Sequence, residues 1–168
     1  MLGKYLIPDR IFNDIYEITP EFLAGEGVRA LILDIDNTLV TYDDPEPTPP
    51  VLAWFAGMTD AGIAIAFVSN NDAARVERFN RGLGFYAHAK SGKPKGKYIR
   101  AAMAHMGSTP ADTVLIGDQL LTDCAAGKFA GLRSYIVPPI KDKLTPFFRF
   151  KRMLEKPYLR KYRRMHGE

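Results

Sequence analysis

Two aspartates, Asp34 and Asp36, stand two residues apart immediately after the apolar run Val28-Arg29-Ala30-Leu31-Ile32-Leu33. The run is short and aliphatic, with Gly27 before it and a polar turn after it, which predicts a buried parallel strand. Its carboxyl end is where open α/β sheets bind their ligands. Like charges this close repel, so a cation or a proton must compensate them. The pattern points to a divalent metal and to covalent chemistry at an aspartate.

Three further fragments repeat the arrangement. Ile63-Ala64-Ile65-Ala66-Phe67-Val68 is a second apolar strand, and it ends in Ser69-Asn70-Asn71. Lys93-Pro94 opens a helix after the short segment Phe85-Tyr86-Ala87-His88. Thr113-Val114-Leu115-Ile116-Gly117 ends in Asp118-Gln119, with Asp123 five residues beyond Asp118. In chain order these ends supply a carboxylate pair, a hydroxyl, an ammonium and two more carboxylates, the groups that phosphoryl transfer needs. Taken singly, each has a plainer reading. Ser69, Asn70 or Asn71 caps the next helix, and Lys93 belongs to a basic loop with Lys90, Lys95 and Lys97. Asp123 complements a helix dipole, while Thr38 and Thr122 are ordinary turn residues. Their joint placement at successive strand ends favours the chemical reading.

The elements that must position these groups alternate. A proline-rich loop from Pro45 to Pro50 leads into an apolar helix carrying Val51, Leu52, Trp54, Phe55 and Met58, which Gly62 ends. A helix over Asp72 to Gly82 turns Val76 and Phe79 inward, and another over Tyr98 to Met106 stops at Gly107. A third, Leu120 to Ala130, precedes Gly131 and the last strand, Ser134 to Val137. Strict alternation predicts an α/β fold: a three-layer α/β/α sandwich with a central parallel sheet and right-handed crossovers. Trp54, Phe55 and Phe79 then belong to the core. A helix over Pro8 to Leu23 is expected ahead of the sheet. The 168 residues suit one domain, spanning 1–156 with that N-terminal helix, followed by a basic tail, 157–168, where Pro157 breaks or bends the last helix.

Cys124 is the only cysteine, so no internal disulfide forms and a reducing compartment is expected. Its neighbours Ala125 and Ala126 suggest plain packing. His88, His105 and His166 show no metal-ligand spacing. Without a bilayer-length apolar stretch or an opening secretory signal, the expected location is the cytoplasm. Lys141 to Glu168 holds ten lysines and arginines against three acidic residues, interleaved with Phe147, Phe148, Phe150, Met153, Leu154, Tyr158, Leu159 and Tyr162. Such a segment suits peripheral contact with an anionic membrane, here its inner face. It also suits RNA, or a helix packed on its own domain.

Four stretches together, DIDNTLV (34–40), VSNN (68–71), GKP (92–94) and IGDQLLTD (116–123), resemble the haloacid dehalogenase (HAD) superfamily of Mg-dependent aspartyl phosphatases. Within it the chain is similar to the small YqeG-type phosphatases of subfamily IIIA, relatives of mitochondrial phosphatidylglycerophosphate phosphatases. The resemblance runs from Pro8-Asp9 to the Thr145…Arg149…Glu155 segment. It implies a HAD-like Rossmannoid fold, with Asp34 as nucleophile and Asp36 as general acid and then base. Ser69, Asn70 and Lys93 would hold the phosphate, with Lys95 the other candidate lysine. Asp34, Asp118 and the main-chain carbonyl of Asp36 would bind Mg²⁺. Asp123 and Thr38 would support these groups from behind, Asp123 by positioning a metal-bound water or Lys93. Large members of the superfamily insert a cap domain. Here single crossover units fill Asp34 to Ser69 and Ser69 to Lys93, so none is expected. An uncapped site favours a large or membrane-embedded phosphomonoester, or a second subunit as cover; the sequence sets no oligomeric state. Phosphatidylglycerophosphate is the expected substrate. The alternatives are a soluble sugar phosphate, a nucleic-acid phosphate end, or a non-catalytic RNA- or protein-binding role for the same fold.

Overall fold

The computed structural model describes residues 2–167. Its strands are β1 (Arg10–Ile11), β2 (Ala30–Leu33), β3 (Ala64–Val68), β4 (Tyr86–His88), β5 (Thr113–Gly117) and β6 (Arg133–Ile136). Its helices are α1 (Pro20–Gly25), α2 (Pro49–Asp60), α3 (Ala73–Asn80), α4 (Lys97–Met106), α5 (Ala125–Phe129) and α6 (Pro146–His166). All strand pairs are parallel, in the order β1-β6-β5-β2-β3-β4.

Side chains alternate across each strand, and in β2 both faces find a helix layer. Leu31 and Leu33 pack with Phe55 and Met58 of α2 and Phe79 of α3. Ile32 faces the other way, onto Ile99, Ala102 and Met103 of α4 and Ala126 of α5. Burial on both faces explains why these strands read as continuous aliphatic runs. The outcome is the expected three-layer α/β/α sandwich. Phe55 and Phe79 are core residues, and Trp54 packs at the core's edge, donating from Nε1 to the Ile18 carbonyl (2.9 Å). Between Asp34 and Ser69 the chain forms α2, and between Ser69 and Lys93 it forms α3 and β4, so no cap domain intervenes among the described residues.

Strands β3 and β5 flank β2 in register. The chain leaves β2 in one direction, through β3 to β4, and returns on the other side at β5. Such a reversal opens a crevice at the carboxyl ends of the strands.

One local expectation fails, and of the two outcomes expected at Pro157, a break or a bend, the break does not occur. No single helix covers Pro8 to Leu23; instead β1 adds an edge strand, a 3₁₀ turn follows at Ile15–Glu17, and α1 starts at Pro20 behind the Thr19 cap. Asp14 caps the 3₁₀ turn, accepting from the backbone amides of Tyr16 and Glu17, so local side-chain capping outweighs helical periodicity. Nor does Pro157 end the last helix, since α6 runs through it to His166. Pro157 and Met153 are both exposed, so water can satisfy the Met153 carbonyl that proline leaves without a donor. Beyond Pro157, Tyr162 is buried and its hydroxyl accepts from the Ile11 amide (3.2 Å), which ties the far end of α6 to β1.

Candidate active site

The crevice is built from strand ends. Asp34 prolongs β2, its amide donating to the Ile116 carbonyl of β5 at 3.0 Å. Beyond it the chain turns back through Asn37, whose φ of 64° lies in the left-handed region that asparagine tolerates. Lys93 reaches in from the loop ahead of α4. Its ammonium donates to Asp34 Oδ1 at 2.8 Å and to Asp123 Oδ1 at 2.6 Å, with all three residues buried. Lys95 stays exposed. Asp123, in a wide π-helical turn over Leu120–Cys124, also accepts from the Gln119 amide at 3.1 Å. The backbone passes Asp123 so closely that a Cβ on Gly117 would lie 2.3 Å from its carboxyl carbon. Only glycine fits there.

Asp34, Asp118 and Asp123 each offer a carboxylate oxygen within 4.8 Å of the others. Burial dominates at Asp34 and Asp118. It pushes Asp34 up to about 7, with Asp123 adding to the rise and Lys93 opposing it. Asp118 is pushed up to about 8 by burial and then by Asp123 and Asp34, against Arg152. Burial pulls Lys93 down, but Asp123 and Asp34 together outweigh it and hold the ammonium above its ordinary range. Three carboxylates thus face two cations, Lys93 and Arg152. A hard, oxygen-seeking divalent cation fits this donor set and would relieve the repulsion.

Asp34, Asp36, Ser69, Asn70, Lys93 and Asp123 line one cavity of about 240 Å³. Asp118 and Thr38 stand outside that lining, and the Thr38 hydroxyl is 3.5 Å from both Asp34 Oδ2 and Asp118 Oδ1. The Asp36 carboxylate turns toward α3, accepting from Arg75 Nε and Nη2 (3.0 and 2.9 Å) and from Asn71 Nδ2 (2.8 Å). Ser69 does not cap α3, because Asp72 does; its hydroxyl accepts from the Asn71 amide at 3.1 Å. Asn70 clamps the lysine loop, its Oδ1 accepting from the Lys93 amide and the Ser91 hydroxyl at 2.8 Å each.

Arg152, absent from the sequence-based set, holds Asp118 from α6. It donates to Asp118 Oδ2 at 2.5 Å, to the Asp118 carbonyl at 2.8 Å and to Glu155 at 3.1 Å. Glu155 in turn accepts from the Leu121 amide at 3.1 Å. Tyr42, Lys143, Phe148 and Lys151 complete the cavity rim. Arg152, Lys143 and Lys151 were three basic residues among ten in the last segment, and nothing in their spacing separates them from the rest. Asn71 ends the VSNN stretch and Arg75 lies in the first turn of α3, and tertiary placement brings both side chains to Asp36.

Comparison with known proteins bears on the family and the fold. The HAD-hydrolase-like family model matches residues 90–139. The chain is 40% identical over 159 residues to the "Probable phosphatase YqeG" of Bacillus subtilis, covering 95% of this chain and 92% of that protein. It is 26% identical over 150 residues to "Phosphatidylglycerophosphate phosphatase 1, chloroplastic" of Chlamydomonas reinhardtii, spanning 84% of this chain and 56% of that protein. The cobalt-bound deoxy-D-mannose-octulosonate 8-phosphate phosphatase of Haemophilus influenzae superposes with a TM-score of 0.55 at 17% identity, covering 82% and 90% of the two chains, and shares the fold. The chain belongs to the YqeG family of HAD-like phosphatases. It is a phosphatase, acting on phosphate esters. Among the described residues no helix is long and apolar enough to cross a membrane.

Proposed function

We propose that the chain hydrolyses a phosphomonoester through an aspartyl-phosphate on Asp34, and that the ester is phosphatidylglycerophosphate presented at a membrane surface. The chief support for the chemistry is the buried Lys93 ammonium, shared between Asp34 and Asp123 at the end of the cavity. An Asp34 oxygen attacks phosphorus, the P–O ester bond breaks, and Asp36 donates a proton to the departing alkoxide. Asp36 then takes a proton from water, whose oxygen attacks the same phosphorus, and Asp34 and inorganic phosphate are released. Asp36 lines the cavity and is held there by Arg75 and Asn71. Lys93, Ser69 and Asn70 hold the phosphoryl oxygens, directly or by fixing the loop that carries them. Asp123 positions Lys93, and Thr38 braces Asp34 and Asp118. Asp34, Asp118 and the Asp36 carbonyl would hold Mg²⁺, which supplies positive charge against the phosphoryl oxygens.

Two observations favour the lipid. A relative carries the name of a phosphatidylglycerophosphate phosphatase. In addition, the outward face of α6 leaves Phe147, Phe150, Met153 and Leu154 between 42% and 64% exposed, beside exposed Arg149, Lys156 and Arg160. A basic helix with uncovered aliphatic and aromatic side chains suits an anionic bilayer. The protein would thus work at the inner face of the membrane as a peripheral enzyme.

The test is inorganic phosphate release from phosphatidylglycerophosphate in mixed micelles, with Mg²⁺, beside soluble sugar phosphates and nucleotide phosphate ends. Preference for the lipid is the expected result. Faster turnover of the soluble esters would replace the lipid assignment, and Mg²⁺-independent turnover would overturn the metal assignment.

A further inference from the structure

The cavity lined by the buried Lys93 carries two more ammonium groups. Lys143 comes from the loop before α6 and Lys151 from the helix itself, and both are half-buried. Among the described residues neither is paired with a carboxylate. Lys143 lies over the Tyr42 ring at 3.4 Å from its centroid and 5.2 Å from that of Phe148. Lys151 donates to the Gln119 side chain at 2.8 Å and lies 5.6 Å from the Phe148 centroid. The carboxylates that line the same cavity are engaged elsewhere, Asp34 and Asp123 by Lys93 and Asp36 by Arg75, and Asp142, next in sequence to Lys143, pairs with Arg152. Aromatic faces and an amide hold the two ammoniums in place without neutralising them, and a desolvating anion would be a stronger partner for both.

The loop carrying Lys143 is also fixed to the catalytic turn. Asn37 accepts from the Ile140 amide through its carbonyl (3.2 Å) and from the Lys141 amide through its side chain (3.1 Å). The chain that brings Asp34 into the cavity therefore also sets the position of the rim.

We propose that Lys143 and Lys151 form a second anion subsite, which takes a non-reacting anionic group of the substrate while its phosphomonoester lies at Asp34 and Lys93. This deepens the reading above and rests on it. The selected substrates are phosphomonoesters that carry a second phosphate, in diester linkage, on the same small head. A cavity of about 240 Å³ accommodates such a head and leaves any acyl chains outside. Phe148 and Tyr42 would then act as the wall that places the two lysines.

Binding separates this proposal from the activity itself. Calorimetric affinities would be measured on the Asp34→Asn protein for glycerol phosphate and for glycerophosphoglycerophosphate, which adds the diester. The extended ligand is expected to bind at least tenfold more tightly, and Lys143→Gln with Lys151→Gln should reduce that ratio to near one, with melting curves confirming a folded protein. Equal affinities, or a ratio that survives both substitutions, would overturn the subsite. So would an equal loss of affinity for both ligands, which marks general attraction of anions. Turnover of the two compounds by the wild-type protein, run in parallel, judges the phosphatase assignment separately, since the ratio of affinities does not depend on it.

Discussion

At the scale of single residues, Lys93 carries the heaviest burden, because among the described residues it alone hydrogen-bonds both Asp34 and Asp123. Replacing it by methionine strands two buried carboxylates, and breaking a buried pair in this way costs about 3–5 kcal/mol. Denaturant unfolding of Lys93→Met should show a loss of that order together with loss of turnover. The same carboxylates give a pH signature. Burial pushes Asp34 up to about 7 and Asp118 up to about 8, against 3.8 for a free aspartate. The folded state thus holds their protons more tightly than the unfolded state, and linkage requires stability to fall as pH rises from about 4 to about 8. A chelator-treated sample should melt lower at pH 8 than at pH 6, and added divalent cation should raise the melting temperature more at pH 8. An equal rise at both pH values would show that the cation binds elsewhere. Asp34, Ser69 and Asp118 are visible in the sequence because each directly follows an apolar strand, and Lys93 because it stands in the GKP stretch ahead of a helix. Arg75 and Arg152 are not, because an arginine on a helix surface looks the same whether it meets water or a carboxylate from another element.

At the scale of elements, α6 both closes the cavity rim and restrains Asp118. Arg152 has three partners on Asp118 and Glu155, and the forked guanidinium is the group suited to all three. Arg152→Ala should lose about 3 kcal/mol of stability, since Asp118 and Glu155 are left buried without their cation. Manganese binding followed by electron paramagnetic resonance should weaken in parallel, and Arg152→Lys should restore little of it. Unchanged metal affinity would reduce Arg152 to a docking contact. The sheet and its crossovers were legible because buried parallel strands must be continuous aliphatic runs, as β2, β3 and β5 are. The N-terminal segment and Pro157 were not. A two-residue strand such as β1 has no periodicity to read, and whether proline ends a helix depends on whether its unpaired carbonyl can reach water.

At the scale of the whole molecule, charge and exposed apolar surface are gathered on one helix whose inner face lines the cavity. Membrane contact and catalysis would then share a side of the protein. Sedimentation with anionic vesicles should carry the protein down at low salt and progressively less as salt rises. Phe150→Ser with Met153→Ser should weaken that binding severalfold while leaving turnover of a soluble ester unaltered. Retention on single-stranded RNA instead, with no vesicle binding, would transfer the outward face to nucleic acid. The central claim, covalent catalysis at Asp34, is tested most directly by acid-quenching the enzyme during turnover of a ³²P-labelled phosphomonoester and locating the label by mass spectrometry. A hydroxylamine-labile phosphate is expected on Asp34 and none on Asp34→Asn, which should also be inactive. Hydrolysis with no phosphoenzyme, and persisting in Asp34→Asn, would contradict the claim.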